Sequence, residues 1–62
     1  MSKRLDPLVA EAAENQEVDT ALALVLGGAD PDSRDSWGKT PLYYASKYGL
    51  LGLAQFLVHS GA

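Results

Sequence analysis

Asp35-Ser36-Trp37-Gly38-Lys39-Thr40-Pro41-Leu42-Tyr43-Tyr44-Ala45-Ser46-Lys47-Tyr48-Gly49 is the stretch on which the fold turns. Thr40 carries a hydroxyl suited to capping a helix N-terminus, and Pro41 fills the first helical position, where its missing N–H costs nothing. The predicted helix runs to about Tyr48 and stops at Gly49, a residue free to take the left-handed conformation that ends helices. Upstream, Gly38 sits where a tight turn needs positive φ, inside a run from Ala29 to Lys39 rich in turn formers. Downstream, Leu51 to about His59 reads as a second helix, closed by Gly61.

Sliding the chain by 33 positions lays this unit on the residues before it without a gap. Val9 meets Leu42, Ala12 meets Ala45, Val18 meets Leu51, Ala21 meets Ala54, Leu24 meets Leu57, Val25 meets Val58, Gly28 meets Gly61 and Ala29 meets Ala62. The agreement falls at small and apolar positions, as repeated packing demands, while solvent-facing positions are free to differ. The earlier unit therefore also resolves into two helices. Pro7 opens the first, which runs to about Glu14, and Val18 to Leu26 forms the second, ended by Gly27-Gly28. Asn15-Gln16 stands where Gly49 stands later, and asparagine is the next-best residue for a left-handed turn. Neither helix pair can bury its apolar face alone, so the units must stack.

The whole chain has 62 residues and 6.6 kDa, one domain at most. A chain this short buries only about 60% of the surface its unfolded form exposes, so its stability is marginal. The sequence has no cysteine and one histidine, His59. Disulfides, a thiolate zinc site and a polyhistidine metal site are thereby excluded. No apolar run approaches the roughly 20 residues that span a bilayer. The longest charge-free stretch, from Tyr48 to Ala62, is short and broken by Gly49, Gly52, Gln55 and His59. No apolar segment of a secretory signal follows Met1, and the expected setting is intracellular, cytoplasmic or nuclear. The net charge of −3 is unevenly spread. All eight acids lie in the first 35 residues with three cations, a net −5, while Lys39 and Lys47 give the remainder +2. Neither half has the clustered basic face of a nucleic-acid binder.

The quoted stretch resembles the ankyrin repeat pattern D-x-x-G-x-T-P-L-H-x-A-A-x-x-G, and Leu53-Ala54-Gln55-Phe56-Leu57-Val58-His59-Ser60-Gly61-Ala62 resembles the family's I-V-x-x-L-L-x-x-G-A ending. Residues 5–34 match more loosely, through Leu22-Ala23-Leu24-Val25-Leu26-Gly27-Gly28-Ala29-Asp30-Pro31-Asp32, and lack the T-P-L-H opening, as an N-terminal capping repeat of the family would. The wording from Asp35 to Ala45 is also similar to the ankyrin segment ahead of BTB domains in some adaptor proteins. Tyr43 replaces the motif histidine, Ser46 the second alanine, and Leu50 follows Gly49. The resemblance implies an all-α solenoid of two helix-turn-helix repeats in one domain over residues 1–62. Residues 5–34 are then a degenerate first repeat, and 35–62 a full repeat truncated after its second helix. It also implies protein–protein recognition through turn tips and concave inner helices, with no catalysis, cofactor or metal, and no nucleic-acid or membrane partner.

A hydrolase reading would combine His59 with Ser46 or Ser60 and an acid, but two short helix pairs offer no pocket that excludes water. His59 near a helix C-terminus is more simply a favourable dipole partner. Gly27-Gly28 lacks the lysine and Ser/Thr of a phosphate loop. Glu11, Glu14 and Glu17 at helical spacing read as a solvated face. Trp37 stands out, because a large aromatic on a polar turn suits binding, where Trp, Tyr and Arg dominate the energetics. The resemblance puts Ser36, Trp37, Lys39, Lys47 and Tyr48 at the family's variable, partner-reading positions. Tyr44 is expected half-buried between helices, and Leu42, Ala45, Leu53, Leu57 and Val58 in the core. The alternative reading is structural. Leu50, Leu51, Leu53 and Phe56 have no acid among them, and the face they form drives self-association or is covered by further repeats.

Overall fold

A computed structural model describes residues 5–61. Its elements are α1 (Asp6–Glu14), α2 (Val18–Leu26), α3 (Pro41–Lys47) and α4 (Leu51–His59), and no strand occurs among the described residues. α1 packs on α2 and α3 on α4, and the two hairpins stack with α1 against α3 and α2 against α4. This is the stacked helix-turn-helix arrangement expected from the 33-residue register.

The ends of the helices follow local chemistry. Thr40 is extended, and its Oγ1 accepts the Tyr43 N–H at 3.1 Å, so α3 carries the expected cap, with Pro41 in its first turn. α1 begins one residue before Pro7 and has no side-chain cap. Asp6 instead ties its start to the linker between repeats. Its Oδ1 accepts the Asp30 N–H at 2.7 Å, and its carbonyl accepts the Ser33 hydroxyl at 2.6 Å. α1, α2 and α3 end in the same doubly bonded closure. Glu17, Ala29 and Leu50 donate their N–H groups to the carbonyls of Ala12, Leu24 and Ala45 at 2.8, 3.0 and 2.8 Å. Gln16, Gly28 and Gly49, at the position before each donor, have φ of 61°, 106° and 68°. The left-handed residue of the first turn is thus Gln16 rather than Asn15, which has φ −81° as the C-cap. The closure on Ala12 dictates which residue of the pair must invert. α3 ends at Lys47, with Tyr48 as its C-cap.

Alanine carries much of the core. Val9, Ala10, Ala12 and Ala13 of α1 and Ala45 of α3 are fully or almost fully buried, and their short side chains let the inner helices approach closely. Leu53 and Leu57, one turn apart on α4, are completely buried against them. Tyr44 is buried rather than half-buried.

Three expectations about the second repeat are corrected. Leu53 lies in the core with Ala45 and Leu57, as its core reading expected, so it does not belong to the exposed face with Leu51. Leu50 and Phe56 of that face are half-buried, and Leu50 packs against the core cluster. Val58 is 55% exposed, and Leu42 is half-buried, although both were expected in the core. The register explains the pattern. Ala10 and Ala13 are buried because the second repeat covers them, while their equivalents Tyr43 and Ser46 are exposed. Val25, half-buried, and Val58, exposed, are related in the same way.

Candidate protein-recognition face

The turn from Asp35 to Lys39 is organised by one carboxylate. Asp35 Oδ1 accepts the N–H groups of Trp37 and Lys39, both at 2.9 Å, and Oδ2 accepts the Tyr44 hydroxyl. The Asp35 N–H donates to the Lys39 carbonyl at 2.9 Å, and the Gly38 N–H donates to the Asp35 carbonyl at 3.0 Å. Gly38 supplies the positive φ, 77°, that this closure needs. The Tyr44 hydrogen bond, helped by the two backbone donors and by Lys39, holds the Asp35 carboxyl below the usual carboxylate range against an opposing desolvation. The same bond, with burial and the charges of Asp35 and Glu14, pushes the Tyr44 phenol far up, so it stays protonated.

The closed turn leaves the Trp37 indole 75% exposed at its tip. Its backbone is fixed at both sides, so the aromatic surface is presented with little backbone freedom left to lose on binding.

Of the five residues expected to read a partner, Ser36 and Trp37 share one cleft of about 310 Å³. Its other walls are Asp35 and, from α1, Pro7, Glu11 and Glu14. Lys39 is exposed with its Nζ 5.0 Å from the centre of the Tyr43 ring, and Tyr43 meets the buried Tyr44 edge-to-face at 5.2 Å. Lys47 and Tyr48 are exposed at the far end of α3, where the Lys47 Nζ lies 5.4 Å from the Tyr48 ring centre. About 10 Å of helix separates that pair from the turn. The five residues are thus all exposed, but they do not line a single cavity.

Asp35 as organiser and the two glutamates as cleft walls were not singled out from sequence. An aspartate three residues before a glycine is an Asx-turn signal, and that signal was available for Asp35. For the glutamates the register is the clue. Glu11 is the equivalent of Tyr44, whose hydroxyl reaches Asp35 of the turn, and Glu14 lies one helical turn further along α1.

No helix among the described residues is long and apolar enough to cross a membrane. A family model described as ankyrin repeats, in three copies, matches residues 2–62. Rabankyrin-5 of Mus musculus is 43% identical over 42 residues, which cover 68% of this chain and 4% of that protein. Ankyrin repeat domain-containing protein 39 of Homo sapiens is 41% identical over 51 residues, covering 82% of this chain and 28% of that protein. The chain therefore spans 4% and 28% of these two relatives' lengths.

Proposed function

We propose that this chain, which belongs to the ankyrin repeat family, is a protein-recognition module that reads its partner with the tip of the 35–39 turn and the exposed side of its inner helices, α1 and α3. Ankyrin repeats are generally protein–protein interaction modules and are typically non-enzymatic. Within that class, the observation that carries the reading is the exposed Trp37 indole on a turn locked by Asp35. An indole that folded back onto its own repeat would serve packing, and this one does not. Lys39, Lys47 and Tyr48 extend the surface along α3, with Ser36 beside the indole. The unit is one domain, a degenerate first repeat over 5–34 followed by a full repeat over 35–62.

The test is selection of ligands from a displayed peptide library against the immobilised chain, followed by measurement with Trp37→Ala. The substitution should weaken binding by about 30-fold, corresponding to roughly 2 kcal/mol for a central aromatic contact. Its folding stability should change by less than about 0.5 kcal/mol, as for a surface position. A lowered melting temperature with unchanged affinity would make Trp37 a packing residue and refute the reading.

A second reading is self-association, and one observation favours it. Tyr43 and Val58 are 43% and 55% exposed where their first-repeat equivalents, Ala10 and Val25, are buried and half-buried, and Leu51 at the start of α4 is 72% exposed. Sedimentation at several concentrations, with Val58→Lys as the comparison, tests it. A concentration-dependent dimer abolished by the substitution supports it, and an unchanged monomer at high concentration refutes it.

A further inference from the structure

From the make-up of the cleft beneath Trp37 we infer that it receives a cationic side chain, an arginine of an extended basic segment in the partner, stacked on the indole and paired with Glu11 and Glu14. The inference rests on the recognition face proposed above and gives that face a chemical class of partner.

The cleft joins two features that are unremarked when taken separately. Glu11 and Glu14 are one turn apart on α1, both exposed, and on their own would be a solvated acidic face. Trp37 alone would be an aromatic on a loop. Together they bound one cleft of about 310 Å³, with Pro7 and Ser36 completing its walls. The third carboxylate in the wall, Asp35, has its oxygens taken by Trp37, Lys39 and Tyr44. It serves the turn, and the charge left for a ligand is that of the two glutamates.

Three considerations select a guanidinium. A cation over an indole face gains from the ring's negative quadrupole, most strongly with tryptophan, and arginine is the more frequent partner. The planar fork of arginine can stack on the ring while its N–H groups reach a carboxylate, which an ammonium cannot do in the same pose. The adjacent like charges of Glu11 and Glu14 repel one another in the free chain, and a bound cation removes that repulsion. The lysines of the second half do not fill the place, since Lys39 and Lys47 lie over Tyr43 and Tyr48 and neither lines the cleft. The wider field agrees, because the first 35 residues carry a net −5 and would steer a basic segment toward α1.

Trp37 is the only tryptophan of the chain, so its fluorescence reads the cleft directly. The probe is a capped peptide of glycine and serine carrying two arginines, titrated into the intact 62-residue chain at low ionic strength. Matched peptides with lysine or glutamate in place of arginine serve as comparisons. The expected result is a saturable change in Trp37 emission with the arginine peptide, several-fold weaker binding of the lysine peptide, and none of the glutamate peptide. Glu11→Gln with Glu14→Gln should weaken the arginine peptide at least tenfold. Glu17→Gln with Asp19→Asn, which removes the same charge outside the cleft, should change it less than threefold. Equal loss in the two double variants would reduce the effect to general electrostatics and overturn the inference. So would a glutamate peptide that binds as well as the arginine peptide, a comparison that needs no variant to fold. Library-selected ligands that depend on Trp37 but are indifferent to Glu11 and Glu14 would overturn the cationic class while leaving the recognition face intact.

Discussion

The Tyr44 hydroxyl donates to the Asp35 carboxylate, so a residue buried in α3 holds the turn that precedes that helix. Core packing and the recognition tip are linked through this one bond. Tyr44 cannot leave its site between the inner helices without releasing the carboxylate that also binds the Trp37 and Lys39 amides.

The first expected outcome concerns that bond and pH. Asp35 is held below its ordinary range in the folded chain, chiefly by Tyr44. The unfolded chain therefore takes up this proton first, near pH 3.9. The stability Asp35 contributes is complete above that pH and is lost as pH falls through the lower folded value. Tyr44 is shifted upward, so its contribution is complete below about pH 10 and is lost as pH rises above that. Tyr44→Phe should lower the melting temperature at pH 7 and flatten the profile at both extremes. Urea midpoints between pH 2.5 and 11 are the measurement, and an unchanged acid limb would remove Tyr44 from the account.

A second outcome concerns the turn after α1. Gln16 sits at φ 61°, where its equivalent is Gly49 at φ 68°. The left-handed conformation costs a side-chain-bearing residue roughly 1–2 kcal/mol, partly offset by glycine's greater freedom when unfolded. Gln16→Gly should therefore stabilise the chain by up to about 1 kcal/mol, a shift of about 4–8 °C in a domain of this size. Asn15→Gly should not, because Asn15 has an ordinary negative φ.

A third outcome separates neighbours on α4. Leu53 is completely buried and Leu51 is exposed. Leu53→Ala should cost about 2–5 kcal/mol, which threatens folding of so small a chain, and Leu51→Ala less than about 0.5 kcal/mol. Leu53→Met, which keeps the volume, should retain most of the helicity and keeps the comparison measurable. Helicity by circular dichroism against urea distinguishes the three.

A fourth concerns the start of α3. Thr40→Ala removes the hydroxyl that accepts the Tyr43 N–H and should cost about 1 kcal/mol, while Thr40→Ser should be almost neutral. Equal stability of all three chains would mean that the cap contributes nothing.

These positions also mark where sequence reading succeeds and stops. Val18–Leu26 and Leu51–His59 agree with their expected limits, because glycine or a polar pair ends each flanking segment and the register repeats them. Thr40-Pro41 and Gly38 act through their own backbone geometry, so they were legible one residue at a time. The inward side of α4 was legible only in part, since Leu53 and Leu57 are buried as expected and Val58 is not. Leu51, Leu53, Phe56, Leu57 and Val58 surround that helix with apolar side chains, so their apolar character does not separate Val58 from the buried pair, and packing into the core formed with the other three helices does. The exposure of Ser36, Trp37, Lys39, Lys47 and Tyr48 agrees with a surface role. The cleft beside Trp37 was hidden for a different reason. Its walls come from α1 and from a turn in the other repeat, and only stacking brings Glu11 and Glu14 to the indole.

Recognition by this chain requires that a protein partner cover Trp37, and one measurement addresses that alone. A library-selected protein ligand is titrated into the chain while calorimetry follows saturation and the emission of its single tryptophan is recorded, the ligand itself being tryptophan-free. The expected result is a blue shift of Trp37 emission that rises with calorimetric saturation and ends with it, as an exposed indole passes from water into an interface. Emission that stays at its free position through full saturation would contradict the claim.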